Sequence, residues 1–312
     1  MNRSHRLITQ RITMLLTQVV AAAIVLTVFM TSAAAEEPLN GTLKKIKDSG
    51  AITLAVRESA IPFSYYDNQQ NIVGYSEEYA FKVVDALKHE LKMPGLKVNM
   101  IPVTPQNRMS LLQNGTVDLE CGSTTNNLER QKQVAFSTTI FVIGTRLLTK
   151  KTSGIKDFPD LKGKTLVTNA GSTSEVLLRK MNFEKNMGMN IISARDHAES
   201  FLTLETGRAA AFMMDDVLLY GDRMTAKHPE DLVVVGTPQS FEAYGCMLRK
   251  DDPQFKKFVD SLFTKILTSS EANRIYKKWL QSPIPPKGLN MDFPMTPAVA
   301  EAFKQPNDKA LQ

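Results

Sequence analysis

The chain has 312 residues, 38 of them basic and 32 acidic, with a net charge of +6. Half of that excess is Arg3, Arg6 and Arg11, and the other cations are scattered without interleaved aromatics, which argues against a nucleic-acid partner. The two cysteines form no Cys-x-x-Cys, and the absence of ligand-spaced histidines argues against a zinc or iron–sulfur centre.

Three arginines precede an apolar run over residues 14–30, and Ala33-Ala34-Ala35 offers small residues for cleavage. That is the pattern of a signal peptide over residues 1–35. A retained anchor competes with it, but Thr17, Gln18 and Thr27 interrupt the run. No later segment has the length or apolarity of a membrane span, so the expected product is exported to a bacterial periplasm.

After the leader, a short helix ending at Gly50 leads into the apolar run 51–56, which suits a parallel strand covered on both faces. From Tyr75, the residues Tyr79, Val83, Ala86, Leu87 and Leu91 recur at helical spacing until Pro94-Gly95. A strand over 96–101, a helix through Met109 and Leu112 closed by Asn114-Gly115, and a strand over 117–120 complete βαβαβ.

The same order returns further on. A strand over 164–168 precedes Ser172-Thr173-Ser174-Glu175, a capping box opening the next helix. A strand over 190–194, a helix from Asp196 to Gly207 and a strand from Ala209 into Asp215-Asp216 follow. The extended runs 140–149 and 243–248 read as crossings between two α/β units, with the last helices returning to the first. The expected division is leader 1–35, first lobe 36–142, second lobe 143–242, return 243–282 and an extended surface tail 283–312, rich in proline. On this path Cys121 and Cys246 share the first lobe. Export favours a disulfide between them over two buried thiols.

Candidate binding residues gather where strands end. Gly122 lets the main chain approach closely, Ser123 and Thr125 offer hydroxyls, and Arg130 offers a planar fork for a carboxylate. Arg57 and Arg108 stand similarly, and three such cations point to a ligand with more than one anionic group. The alternative for each is a solvated surface charge. His197 reads as a helix-start residue after Asp196. Asp215-Asp216 supplies one acid for a ligand and one to cap the following helix.

These residues carry a resemblance. Arg57-Glu58-Ser59, Gln106-Asn107-Arg108, Glu120-Cys121-Gly122-Ser123-Thr124-Thr125, Phe212-Met213-Met214-Asp215-Asp216 and Glu242-Ala243-Tyr244-Gly245-Cys246 occur in order across the exported part of the chain. Together they make it similar to the periplasmic solute-binding proteins that deliver polar amino acids to ABC importers. The resemblance implies an α/β, two-lobed type II periplasmic-binding-protein fold with two hinge crossovers, a monomer, no cofactor and no metal. Its implied ligand is L-glutamate or L-aspartate, and its implied partners are the permease subunits of an importer. In that picture Arg130, Thr125 and Thr173 hold the α-carboxylate, Asp215 and Ser123 the ammonium, and Arg57, Arg108 and His197 the side-chain carboxylate. Pro105 departs from the pattern, which expects a small hydroxyl residue there, and this leaves glutamate against aspartate open. Ser76 stands where an acid is usual and is expected to cap its helix.

Two rival readings stand beside this one. An exported dehydratase of small carboxylates would need Glu58, Glu120 or His197 as an acid or base, yet no nucleophile, second catalytic group or metal set accompanies them. A glutamine or asparagine binder would have little use for so many cations.

Overall fold

In the computed structural model of the chain, residues 38–311 are described, so the expected leader, residues 1–35, lies outside them. No helix among the described residues is long and apolar enough to cross a membrane. Two sheets organise the chain from Asn40 onward. The first has the order β5-β1-β6-β15-β8, from Lys97–Pro102, Ala51–Val56, Leu119–Glu120, Met247–Arg249 and Val134–Phe136. β1 runs parallel to both β5 and β6, as a strand without polar alternation requires when helices cover both faces.

The second sheet contains β10 (Thr165–Asn169), β11 (Asn190–Ala194) and β12 (Ala211–Asp215), with β11-β10-β12 parallel. β9 (Phe141–Lys150) and β14 (Phe241–Tyr244) make the passage between lobes. The outer half of β9 pairs with β12 and with β13 (Leu232–Val235), while its first residues pair with β14. β14 in turn pairs with β7 (Thr125–Asn126), which carries the main chain of the Gly122 segment into the hinge.

The hinge is held at the first-lobe end by aromatic packing. Phe63 meets Phe141 and Tyr244 edge-on, each at 5.1 Å, and Phe141 stacks on Tyr276 at 5.9 Å. Such contacts fix the strand ends at about 0.5–1.5 kcal/mol per pair beyond area burial. The second lobe has its own core of Leu147, Phe158, Leu166, Leu178, Met181 and Met213. Cys121 and Cys246 are joined by a disulfide that links the ends of β6 and β15 inside the first lobe.

Two expectations are corrected. Ser76 does not cap its helix, Tyr75–Glu90: the N-cap is Gly74 at φ 140, and the Ser76 hydroxyl is buried without a hydrogen-bond partner. The first N–H groups of the helix donate instead to the carbonyls of Pro62 and Phe63, so close that a Cβ on residue 74 would lie 2.2 Å from the Phe63 oxygen. Residues 283–311 are also more than a surface tail. They contain a two-stranded pairing and the helix Pro297–Lys304, with Ile284, Val299 and Phe303 buried. The segment touches both lobes. Tyr65 Oη donates to Pro285 O at 2.8 Å in the first lobe, and Lys287 Nζ donates to Thr225 O at 2.8 Å in the second. Proline content constrains φ but does not reveal whether a partner surface lies beneath the chain.

Candidate functional site

All eight candidate residues line one cavity between the lobes, with Pro105, Asn169, Ser172 and Met214 completing its wall.

From the first lobe, Arg57 follows directly on β1. Its N–H donates to Ser64 Oγ at 2.7 Å and its Nη1 to Ser123 Oγ at 3.4 Å, while Nη2 is buried without a partner. Arg108 opens the helix Arg108–Gln113; its Nη1 donates to Thr124 Oγ1 and to Ser123 O, and lies 3.6 Å from Glu120 Oε1. Gly122 proves to be required by the site's own side chains. A Cβ there would lie 2.5 Å from Glu120 Oε1 and 3.0 Å from Arg57 Cγ.

Arg130 sits in the short helix Leu128–Gln131, whose N-cap Asn127 accepts the Arg130 N–H. Its Nη1 donates to Thr125 O at 2.9 Å and its Nη2 to Gly171 O at 3.3 Å, so one guanidinium spans the two lobes. Burial lowers the Arg57 and Arg130 guanidinium pKa values to about 10, with Arg108 as the next cause in both. Cations destabilised in this way gain by meeting an anion.

From the second lobe, β10 ends at Asn169 and the chain turns through Gly171 into the helix Thr173–Glu184. Ser172 Oγ accepts the Glu175 N–H at 3.0 Å, while the Glu175 carboxylate reaches back to Gly171 N–H rather than to the cap residue. His197 is the first residue of its helix, as expected, yet its ring is buried and Nδ1 has no partner. Burial, then Arg57 and Arg108, push its pKa well below 6.5, so the ring is neutral at pH 7.

The two adjacent acids divide their work. Asp216 Oδ1 accepts the N–H of Val217 at 2.8 Å, while Asp215 makes no side-chain cap bond and faces the cavity. Asp215 accepts from Tyr244 Oη and from Ser174 Oγ at 3.3 Å. Burial, followed by Glu242, raises its carboxyl to about 8. A ligand cation there would offset that cost.

Several wall residues escaped the sequence. Asn169 Oδ1 accepts from Ser200 Oγ at 2.6 Å, leaving Nδ2 buried without a partner. Its signal was present: a polar side chain ends an apolar strand ahead of a glycine and a helix cap, as Asp215 ends β12.

Glu77 braces the site from behind, with Oε1 2.5 Å from the Ser64 hydroxyl that receives the Arg57 N–H. Burial raises its carboxyl to about 8, against the lowering effect of the Ser64 hydrogen bond. A raised folded pKa gives stability that is complete below the ordinary value near 4.5 and is lost as pH climbs through 8. Glu77→Gln should therefore flatten the fall in stability between about pH 5 and 9 by roughly a few kcal/mol. Denaturant midpoints across that range measure it, and parallel curves for the two proteins would refute it.

Comparison with known proteins bears on what such a cavity serves. The pattern of one family spans residues 52–282. The chain belongs to the bacterial extracellular solute-binding proteins, family 3. Among family 3 relatives, the glutamate/aspartate import solute-binding protein of Salmonella typhimurium is 61% identical over 86% of this chain and 89% of its own length. The L-glutamate/L-aspartate-binding protein of Pseudomonas aeruginosa is 58% identical over 94% and 97%. Among solved structures, the cysteine-binding protein of Campylobacter jejuni aligns with a TM-score of 0.69 at 26% identity, covering 78% of this chain and 94% of that one. As a family 3 solute-binding protein, the chain has the type II fold of two α/β lobes.

Proposed function

We propose that this chain binds L-glutamate or L-aspartate between its lobes in the bacterial periplasm, as a monomer, and presents it to the permease subunits of an ABC importer without chemical change. The carrying observation is the convergence of Arg57, Arg108, Arg130, His197 and Asp215 on one buried cavity. An acidic amino acid brings two carboxylates and one ammonium, which this set complements. In this reading Arg130 takes the α-carboxylate, with main-chain N–H groups at Thr125 and Thr173 beside it. Asp215 and Ser123 take the ammonium, while Arg57, Arg108 and His197 surround the distal carboxylate. The unpartnered Arg57 Nη2 supports that assignment, because a buried donor left unsatisfied costs about 1–3 kcal/mol. Pro105 lines the cavity and brings no hydroxyl, so length discrimination falls to the surrounding cations.

Closure follows from the same geometry. Arg130 and Gly171, and Thr125 and Thr173, meet across the lobes only when these are together, so a ligand that also bridges them favours the closed shape. An importer then has a closed surface to read. The Salmonella relative is an import solute-binding protein and the Pseudomonas relative a binding protein for the same two amino acids, which supports this reading over catalysis.

Calorimetry of the mature protein with glutamate, aspartate, glutamine and asparagine tests it. The wild type should take one acidic ligand per chain and leave it unaltered. Arg108→Ala should weaken glutamate and aspartate by roughly 10- to 100-fold, as expected for a charge-assisted hydrogen bond, and the amides far less. Equal losses for glutamate and glutamine would remove Arg108 from the side-chain pocket, and a wild type inert to all four would end the proposal.

A further inference from the structure

Glu242 has no part in the site as set out above, yet it lies at the meeting point of both lobes and the hinge. It stands on β14 and is 7% exposed. Four hydroxyls surround its carboxylate. Oε2 accepts from Thr125 Oγ1 at 2.5 Å and from Thr173 Oγ1 at 2.7 Å; Oε1 accepts from Ser240 Oγ at 2.8 Å and lies 3.4 Å from Thr145 Oγ1. Thr125 belongs to the first lobe and Thr173 to the second, and both line the cavity. Thr145 and Ser240 belong to the hinge region.

A hydroxyl carries a single hydrogen. When Thr125 and Thr173 each donate theirs to Glu242, what remains toward the cavity is oxygen lone pairs, 3.4 Å apart. Lone pairs repel a carboxylate and accept from an ammonium. We propose that Glu242 is a positioning residue that turns these two hydroxyls into acceptors, so that the protein selects ligands bearing a protonated amine. The Thr125 and Thr173 side chains then belong to the ammonium side, next to Asp215, and the α-carboxylate is left to Arg130 and to backbone N–H groups such as that of Thr173 at the helix start. Because Oε2 holds one hydroxyl from each lobe, this arrangement is complete only when the lobes are together.

The inference rests on the proposed acidic amino-acid ligand, and its test separates the two. L-Glutamate and glutarate, which has both carboxylates and no amine, are measured by direct and competition calorimetry against three proteins. These are the wild type, Glu242→Met, which removes both acceptor oxygens at similar volume, and Thr173→Val, which removes one hydroxyl and leaves Glu242 in place. The wild-type preference for glutamate over glutarate should narrow by roughly 10- to 100-fold in Glu242→Met, and in the same direction in Thr173→Val. Thermal melts report whether each variant is folded. Equal weakening of both ligands in Glu242→Met, the result of a purely structural role, would overturn the inference, and so would a Thr173→Val protein that keeps the full wild-type preference. A wild type that binds neither glutamate nor aspartate would instead fail the underlying functional reading.

Discussion

Arg130→Ala should abolish binding of every amino acid the protein accepts, acidic and amide ligands alike, with a loss of about 100-fold or more. Its fork is the group assigned to the α-carboxylate, which all these ligands share. A bidentate pair supplies two charge-assisted hydrogen bonds, each contributing about 1.5–3 kcal/mol, and their sum exceeds the 2.7 kcal/mol or so that corresponds to 100-fold. The geometry adds a second loss. Nη1 is anchored on Thr125 O and Nη2 on Gly171 O, so truncation also deletes a contact across the lobes. Arg130→Lys should fall between the two, since an ammonium restores the charge and not the fork. Calorimetry with glutamate and glutamine decides the matter, and retention of either within tenfold would remove Arg130 from the α-carboxylate position.

The second large effect concerns the Cys121–Cys246 disulfide, which closes a loop with a sequence separation of 125 residues. Chain-entropy arithmetic for such a loop gives about 4–5 kcal/mol, a large share of the 5–15 kcal/mol typical of a domain. Reduction, or the Cys121→Ala/Cys246→Ala pair, should lower the unfolding free energy by several kcal/mol, read from urea curves with and without reductant. Binding should change much less. The Met247 to Glu120 pairing of β15 with β6 and the β7 to β14 pairing do not run through the bridge, and they should hold the Ser123 and Thr125 segment in register without it. A stability loss below about 1 kcal/mol would show that the bridge constrains little of the unfolded chain.

The alternation of strands and helices could be read directly from apolar spacing, because burial on one or two faces leaves a local period in the sequence. The Asp215-Asp216 pair could be read as one acid for a cap and one for a ligand, and the Val217 N–H falls to Asp216. Where the reading failed, the determining partner was remote in sequence. Ser76 lost its capping role to the carbonyls of Pro62 and Phe63, which no local pattern announces. The described part of residues 283–312 became a bridge between lobes because its Pro285 carbonyl met Tyr65 of the first lobe and its Lys287 met Thr225 of the second.

The residues alone determined an α/β chain with two similar units, two crossings and cations at its strand ends. Only the tertiary structure decided that these cations share a cavity with Asp215, that Gly122 is demanded by Arg57 and Glu120, and that Glu242 gathers hydroxyls from both lobes. The physical reason is range. Hydrophobic periodicity records each residue's own burial over a few positions, whereas the direction of a hydrogen bond between Thr125 and Glu242 depends on a contact across 117 positions that exists only once the hinge strands have paired.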